Sequence, residues 1–159
     1  MSNLEWTTIL KERHRRNHPR TKHQLFLGEP AQDDQMKRVE QYLGLPIPED
    51  LASLYRHYNG VGIRSNENEI SWEIPPLYKL KEIHSSFVFV ETHLELHERY
   101  LPFFDWANGD YIGYLYDRNG EWPRLYGFYH ERYYLDMNQA WEGFMEDEEM
   151  NLVSLLSSY

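Results

Sequence analysis

Two histidines four residues apart, His93 and His97 in the run HLELH, form the pattern in this chain that comes closest to a metal site. On a helix both imidazoles would lie on one face, where Glu91, Glu95 or Glu98 could supply a third ligand. A strand would also place them on one face without implying a metal, and the glutamate that metalloproteases carry directly after the first histidine is missing. The pattern favours structural or surface histidines, and no metal is predicted.

Patterns typical of catalysis are missing. The chain has no cysteine, no Gly-x-Ser-x-Gly motif and no glycine-rich phosphate loop with a lysine. Adjacent acidic pairs such as Asp33-Asp34 point about 100° apart on a helix, so they do not converge on one substrate. We therefore expect no catalytic residue, no cofactor and no enzymatic activity. A small enzyme or metal protein built on the histidines stays an alternative, which elemental analysis of the purified protein tests.

Charge divides the chain into a basic start and an acidic body. The first 23 residues, which include the basic segment 11–23, carry six lysines and arginines against two acidic residues, and the rest of the chain carries 24 acidic and ten basic residues. An acidic body repels nucleic-acid phosphates and attracts cationic partners. The basic segment has no aromatic residue to stack on bases, so we expect its cations to pair with the body or to be solvated, without nucleic-acid binding.

No targeting or membrane-spanning segment is recognisable. The amino-terminal run MSNLEWTTILKERHRR lacks the continuous apolar core of a secretory signal, and no later run approaches the roughly 20 apolar residues of a membrane span. Together with the lack of cysteine, this predicts a soluble protein of the reducing cytoplasm that has no membrane partner.

The elements that must position any site start with helices. A first helix is expected around Trp6, Ile9 and Leu10, and Asp33-Asp34 suit the start of a second. Gly44 stands where a helix C-cap favours a left-handed residue, and the prolines that follow prevent that helix from continuing. A third helix then starts at Pro48 and stops at Asn59-Gly60. Its apolar positions repeat every three or four residues, at Leu51, Leu54, Tyr55 and Tyr58.

Strands are expected in the second half of the chain. The run VGIRSNENEISWEI reads as two short strands, and the alternating runs Tyr111–Asp117 and Arg124–His130 flank an Asn119-Gly120 hairpin signal. A short helix is expected over Leu77–Ile83 and a brief strand over Phe87–Val90. The run HLELHERY fits a helix and a strand equally well.

A closing helix is expected after the strands. Asn138 suits its cap, and Trp141, Phe144 and Met145 would pack on the sheet. Helices, a meander of strands and a last helix predict one α+β domain over residues 1–159.

The hairpin region holds more aromatic residues than one face of a sheet can bury. They are Tyr111, Tyr114, Tyr116, Trp122, Tyr126, Phe128, Tyr129, Tyr133 and Tyr134. Either an outward stripe is exposed and forms a recognition surface, or helices and loops cover both faces.

The stretch from Arg38 to Gly60 resembles the SUKH superfamily, which is named after yeast cell-wall synthesis regulators and is widespread among bacterial immunity proteins. The residues that carry the resemblance are Glu40, Leu43, Gly44, Pro48, Glu49, Asp50, Leu51, Tyr55, Tyr58, Asn59 and Gly60. Later runs, such as LPFF at 101–104 and GDYI at 109–112, also fall where the family would place them. The resemblance implies a curved, mainly antiparallel sheet with helices packed on it, in which most of these motif residues have structural roles.

An immunity function is what the resemblance implies: a non-catalytic protein that binds and neutralises a cognate bacterial toxin, possibly a nuclease effector. We expect an acidic surface to steer a basic toxin surface towards an aromatic anchor. The candidate residues are Glu67, Glu69, Glu73, Asp110, Asp117, Trp122, Glu146, Asp147, Glu148 and Glu149. The alternative is a regulatory protein-interaction scaffold that resembles the cell-wall synthesis regulators.

Overall fold

The computed structural model describes residues 1–17, 23–65, 67, 69–87 and 89–158. Its α-helices are α1 (Asn3–Asn17), α2 (Asp33–Leu43), α3 (Glu49–His57), α4 (Leu77–Ser86), α5 (Leu94–Arg99), α6 (His130–Leu135) and α7 (Leu152–Ser157). Its strands are β1 (Gln24–Leu27), β2 (Val61–Arg64), β3 (Ile70–Ile74), β4 (Tyr100–Asp105), β5 (Tyr111–Leu115), β6 (Arg124–Phe128) and β7 (Met145–Asp147). Short 3-10 helices cover Glu91–His93 and Trp141–Gly143.

Helices α2 and α3 lie where the sequence predicts, although α3 ends at His57, two residues before Asn59. The Gln35 side chain accepts a 2.7 Å hydrogen bond from the Gln32 backbone at the start of α2. Gly44 ends this helix with a left-handed φ of 69°, and its N–H bonds to the Glu40 carbonyl. Pro48 directly precedes α3. The predicted pair of helices around a proline-bearing link is therefore confirmed.

The strands of the described chain form one antiparallel sheet in sequence order, from β1 to β7. The predicted β5–β6 hairpin is present, with Leu115 opposite Arg124 and Tyr111 opposite Phe128. The sheet is open, since β1 and β7 are its two edges. An α+β fold with helices packed on an antiparallel sheet is thus confirmed.

Because strand direction alternates, the connections fall at two opposite ends of the sheet. We call one of them the Gly109 end, because Gly109 lies in its β4–β5 turn. This end also contains the β2–β3 turn and the end of β6. We call the opposite end the Gly120 end, because Gly120 lies in its β5–β6 turn. This end also contains the end of β7. A five-residue strand spans about 16 Å, so side chains at the two ends do not share a small binding site.

Both faces of the β4–β6 region are covered. Along β5, Ile112 belongs to a core that α1, α2, α3, α4 and α7 complete, whereas Leu115 belongs to a second core. The second core contains Leu96 of α5, Tyr133 of α6 and Phe144. For the aromatic residues within β5 and β6, coverage of both faces is therefore the correct alternative, whereas Trp122 and Tyr134 lie outside these strands and are exposed.

The closing helix was predicted in the wrong place. Trp141 lies in a 3-10 turn and Met145 begins the edge strand β7. The last helix is instead α7, where the Asn151 side chain caps the Ser154 N–H at 2.9 Å. Pairing of Met145 with Phe128 of β6 outweighs the helical spacing of this segment.

Other local expectations had mixed outcomes. Leu77–Ile83 lies within α4 as predicted, and HLELHERY forms a 3-10 turn and α5 before β4 begins. The strand expected over Phe87–Val90 is wrong for its described residues, which are irregular. Phe87 and Phe89 pack in the second core. The four-residue edge strand β1 was not predicted from the sequence.

Among the described residues of the basic segment, Arg13 is part of the core. Arg13 is 1% exposed, and its guanidinium carbon lies 4.8 Å from the Trp72 ring centre and 5.6 Å from that of Phe104. Its Nη1 donates a 3.1 Å hydrogen bond to the Leu155 carbonyl. Arg13 thus joins α1, the sheet and α7. Residues 18–22 of the basic segment lie outside the described residues.

Candidate functional site

The fold divides the predicted acidic residues between the two ends of the sheet. Glu67 and Glu69 lie exposed in the β2–β3 connection, and Asp110 lies at the start of β5, all at the Gly109 end. The other end holds Asp117, Trp122, Asp147, Glu148 and Glu149. The sequence therefore predicted one surface where the structure has two.

Glu73 must be removed from the predicted surface. It is 5% exposed and lies between Arg64, at 3.4 Å, and Lys79, at 3.8 Å. The alternation of residues along β3 correctly predicts that Glu73 points away from Trp72 and the first core. The face of the sheet on which Glu73 lies is, however, also covered. A buried, paired carboxylate supports the sheet and does not contribute exposed negative charge.

Two more of the predicted acidic residues shape turns. The Asp117 carboxylate accepts hydrogen bonds from the backbone N–H groups of Asn119 and Glu121, both at 2.9 Å. Asp110 accepts from the His130 backbone at 3.1 Å and from its Nδ1 at 2.7 Å. Both carboxylates are half-buried, and these bonds fix them in place.

At the Gly120 end the structure contains a cleft of about 530 Å³, which we call the acidic cleft. It lies between the start of α3, the β5–β6 hairpin and the loop from β7 to α7. Its lining residues are Pro48, Asp50, Tyr114, Pro123, Arg124, Leu125, Asp147, Glu149, Met150, Asn151 and Ser154. Three carboxylates and one guanidinium line the cleft, so its formal charge is negative.

Hydrogen bonds hold the walls of the acidic cleft. Arg124 Nη2 lies 2.7 Å from Asp147 Oδ2, and the Tyr114 hydroxyl donates a 2.8 Å hydrogen bond to Asp50. Burial, reinforced by the Asp50 carboxylate, raises the pKa of Tyr114, so its hydroxyl remains a donor. The exposed Glu149 has a left-handed φ of 51°, and its N–H bonds to Asp147 at 2.9 Å.

Trp122 is a large exposed aromatic side chain beside the acidic cleft. It is 79% exposed and immediately precedes Pro123 of the cleft wall. Its φ of 52° lies in the left-handed region, which is uncommon for a bulky residue. An exposed indole beside a negatively charged cleft is suited to anchoring a cationic protein partner.

Glu146 and Glu148 lie next to the cleft without lining it. Glu146 is exposed, 3.7 Å from Arg132. Glu148 is half-buried and accepts a 3.1 Å hydrogen bond from the Tyr129 hydroxyl. Burial, followed by the nearby Glu146 and Asp147 carboxylates, raises the pKa of Glu148. Neither residue contributes to the negative charge inside the acidic cleft.

The two histidines of the HLELH run, His93 and His97, contact different parts of the chain. His93 is buried, with Nε2 2.7 Å from the Gln139 carbonyl. The His97 ring stacks on His84 at 4.4 Å, and the His97 carbonyl accepts from His84 Nε2 at 2.7 Å. Within the described ranges, no group of three histidine, aspartate or glutamate side chains is placed to hold a metal ion.

The residues that carry the resemblance connect the helices to the sheet. Tyr55, fully buried in α3, donates a 2.7 Å hydrogen bond from its hydroxyl to the Pro75 carbonyl. The Asn59 side chain accepts from the Leu77 N–H at 2.9 Å, at the start of α4. Gly60 has a φ of 104°, and a Cβ there would meet Pro76. Leu43 and Leu51 are buried in the first core.

These features define an α+β protein in which a helical pair packs on one face of a strand meander. A model of the SMI1 / KNR4 family (SUKH-1) matches residues 30–147, and the chain belongs to this family. No curated protein matches the chain. None of the described helices is long and apolar enough to cross a membrane.

Proposed function

We propose that this chain is a cytoplasmic immunity protein that binds a cognate bacterial toxin and neutralises it without catalysing a reaction. Membership of the SMI1 / KNR4 family (SUKH-1) supports a protein of the SUKH type. The observation that carries the proposal is the exposed Trp122 beside the acidic cleft at the Gly120 end.

The chemistry of this site suits a basic toxin surface. Asp50, Asp147 and Glu149 attract cations, and Trp122 offers a large apolar contact at low entropic cost. The cleft is held by Arg124 and Tyr114, so its walls do not need to rearrange on binding. Binding that covers the toxin's own active surface would neutralise it stoichiometrically.

The proposal predicts a toxin gene beside the gene for this chain, and co-expression with that toxin tests the function. The wild-type chain should restore growth of cells that produce the toxin, and the purified proteins should form a complex. Trp122→Ala should weaken that complex by about 30-fold or more, as expected for an aromatic hot spot. Failure of the wild-type chain to protect would reject the immunity function.

Charge reversal at each end of the sheet locates the toxin-binding surface. Glu149→Lys places a cation in the acidic cleft and should weaken binding strongly. Glu67→Lys makes the same change at the Gly109 end and should leave affinity nearly unchanged. Equal effects of the two substitutions would mean that the cleft is not the binding site.

The second candidate function is a regulatory scaffold for cell-envelope or signalling proteins. The matched family is named SMI1 / KNR4, and this name supports the regulatory scaffold as the second candidate. A scaffold would bind a host protein in cells that lack any toxin, and affinity capture with wild-type chain and the Trp122→Ala variant in parallel separates the two functions.

A further inference from the structure

A second pocket lies at the Gly109 end of the sheet, away from the acidic cleft. Its volume is about 380 Å³, close to the lower limit of about 300 Å³ for ligand pockets. This size suits one side chain better than a nucleotide or an extended cofactor. The lining residues are Ser86, Phe87, Phe89, Gly109, Tyr111, Phe128, Tyr133 and Tyr134. We call it the aromatic pocket.

Aromatic rings make up most of the wall, and they hold one another in place. Phe87 packs edge-on against Tyr111 at 5.0 Å and against Phe128 at 4.9 Å. Tyr133 contacts Tyr134 at 5.6 Å between ring centres. Tyr134 itself is 63% exposed and forms the outer edge of the pocket. The pocket is therefore a rigid group of π systems that opens to solvent beside Tyr134.

Carboxylates lie near this aromatic wall. Asp105 is opposite Tyr111 in the β4–β5 pair, and Glu131 is exposed on α6 beside Tyr134. Asp110 directly follows Gly109 and is paired with His130, whose ring contacts Tyr134. The described residues that line the pocket include no lysine and no arginine. Planar guanidinium groups stack on aromatic rings and lose less hydration than ammonium groups.

We propose that the aromatic pocket binds an arginine side chain presented by a protein partner. The guanidinium lies against the rings, with Tyr134 covering its outer side, and the nearby carboxylates balance its charge. This site lies at the opposite end of the sheet from the acidic cleft, so the proposal does not depend on toxin binding there. The exposed Leu135, next to Tyr134, offers apolar contact to the residues that flank the arginine.

Amide chemical-shift titration of the full chain tests this proposal. The probes are N-acetyl-L-arginine amide and N-acetyl-L-leucine amide. We expect the arginine probe to cause saturable shifts at Gly109, Tyr111 and Tyr134, and to bind more tightly than the leucine probe. Equal or tighter binding of the leucine probe would show that the pocket is a purely apolar site and would overturn the assignment to arginine. Absence of saturable shifts with either probe would reject the pocket as a binding site.

Two substitutions at Tyr134 separate ring chemistry from apolar area. Tyr134→Phe keeps the ring and should retain binding, whereas Tyr134→Leu keeps apolar area and should weaken arginine binding about three- to fivefold. Because Tyr134 is largely exposed, both variants should keep the wild-type amide spectrum elsewhere, which the same experiment reports. Trp122→Leu, at the Gly120 end, is the matched control and should bind the arginine probe normally. Unchanged arginine binding by Tyr134→Leu would overturn the proposal.

Discussion

Arg13 illustrates how one charged side chain can be part of an aromatic core. The guanidinium needs its charge compensated when it leaves water, and Trp72, Phe104 and the Leu155 carbonyl provide ring and hydrogen-bond contacts. Helical spacing puts Arg13 on the face of α1 that carries Trp6 and Leu10, and puts Arg15 off that face. The charge of Arg13, however, favoured an exposed position among the neighbouring cations. Its role depends on α7, which lies far away along the chain.

Replacing Arg13 should therefore destabilise the fold. For Arg13→Ala we expect the free energy of unfolding to fall by about 3 kcal/mol, because a charged hydrogen bond and two ring contacts are lost together. Arg15→Ala is the control and should change it by less than about 0.5 kcal/mol, since the Arg15–Glu12 pair is exposed. Urea denaturation of both variants measures the difference. Similar losses in both variants would contradict the buried position of Arg13.

Two half-buried carboxyl groups make stability depend on pH. Burial raises the pKa of Asp105, with Glu73 adding to the effect, and burial raises the pKa of Glu148. A carboxyl group with a higher pKa in the folded chain binds more protons when folded than when unfolded. The contribution of these two groups to stability is therefore fully present below their ordinary pKa and is lost as pH rises through the raised pKa.

Glu148→Gln should make this pH dependence weaker. The amide can still accept the Tyr129 hydrogen bond but does not ionise, so the decline in stability as pH rises above about 4.5 should become shallower. Thermal or urea unfolding between pH 4 and pH 7 measures it. Glu149→Gln changes an exposed neighbour, and its profile should run parallel to the wild type. A Glu148→Gln profile that also runs parallel would show that Glu148 titrates normally.

The residues of the candidate sites were only partly predictable. Trp122 was predicted as one of the aromatic residues of the hairpin, and Glu149 as part of the acidic run 146–149. The prediction for Glu73 was wrong because alternation shows which face a residue occupies but not whether that face is covered. Asp50 and Arg124 of the cleft were missed, since they become neighbours of Asp147 only through strand order and the position of α3.

Among the elements, those with strong local signals were the predictable ones. Helices α2 and α3 and the β5–β6 hairpin carry both periodicity and turn residues within their own sequence. Strands β1 and β7 have four and three residues, and each exists because it pairs with a partner formed elsewhere in the chain. Such edge strands leave little trace in local sequence.

The hydrogen bond between Asn59, which follows α3, and the start of α4 gives a prediction at the scale of the elements. Asn59 lies after α3, and its side chain accepts the Leu77 N–H that would otherwise lack an intrahelical partner at the start of α4. Asn59→Ala should lower the free energy of unfolding by about 1 kcal/mol, the usual cost of losing a helix cap. Asn59→Asp keeps an acceptor oxygen and should lose less. Urea denaturation compares them, and equal losses would show that this hydrogen bond does not act as a cap.

The whole molecule combines a family core with elements outside it. The matched region covers α2 to β7, whereas α1 and α7 lie outside residues 30–147 and are joined by Arg13 and Leu155. The acidic cleft uses both parts, since Pro48 and Arg124 come from the matched region and Asn151 and Ser154 from the segment that follows. Changes in the loop before α7 can therefore alter the cleft without disturbing the family core.

The net charge of −10 makes salt dependence a sharp test of how this molecule would associate with the basic toxin proposed as its partner. The Debye length falls from about 30 Å at 0.01 M salt to about 3 Å at 1 M, so long-range attraction is lost across this range. We expect the association rate constant to fall at least tenfold while the dissociation rate constant changes little. Glu149→Lys should slow association at low salt and match the wild-type rate at high salt, whereas Trp122→Ala should mainly speed dissociation. Stopped-flow kinetics with the purified toxin separates the two rates. A salt-independent association rate would mean that the acidic surface does not steer the encounter.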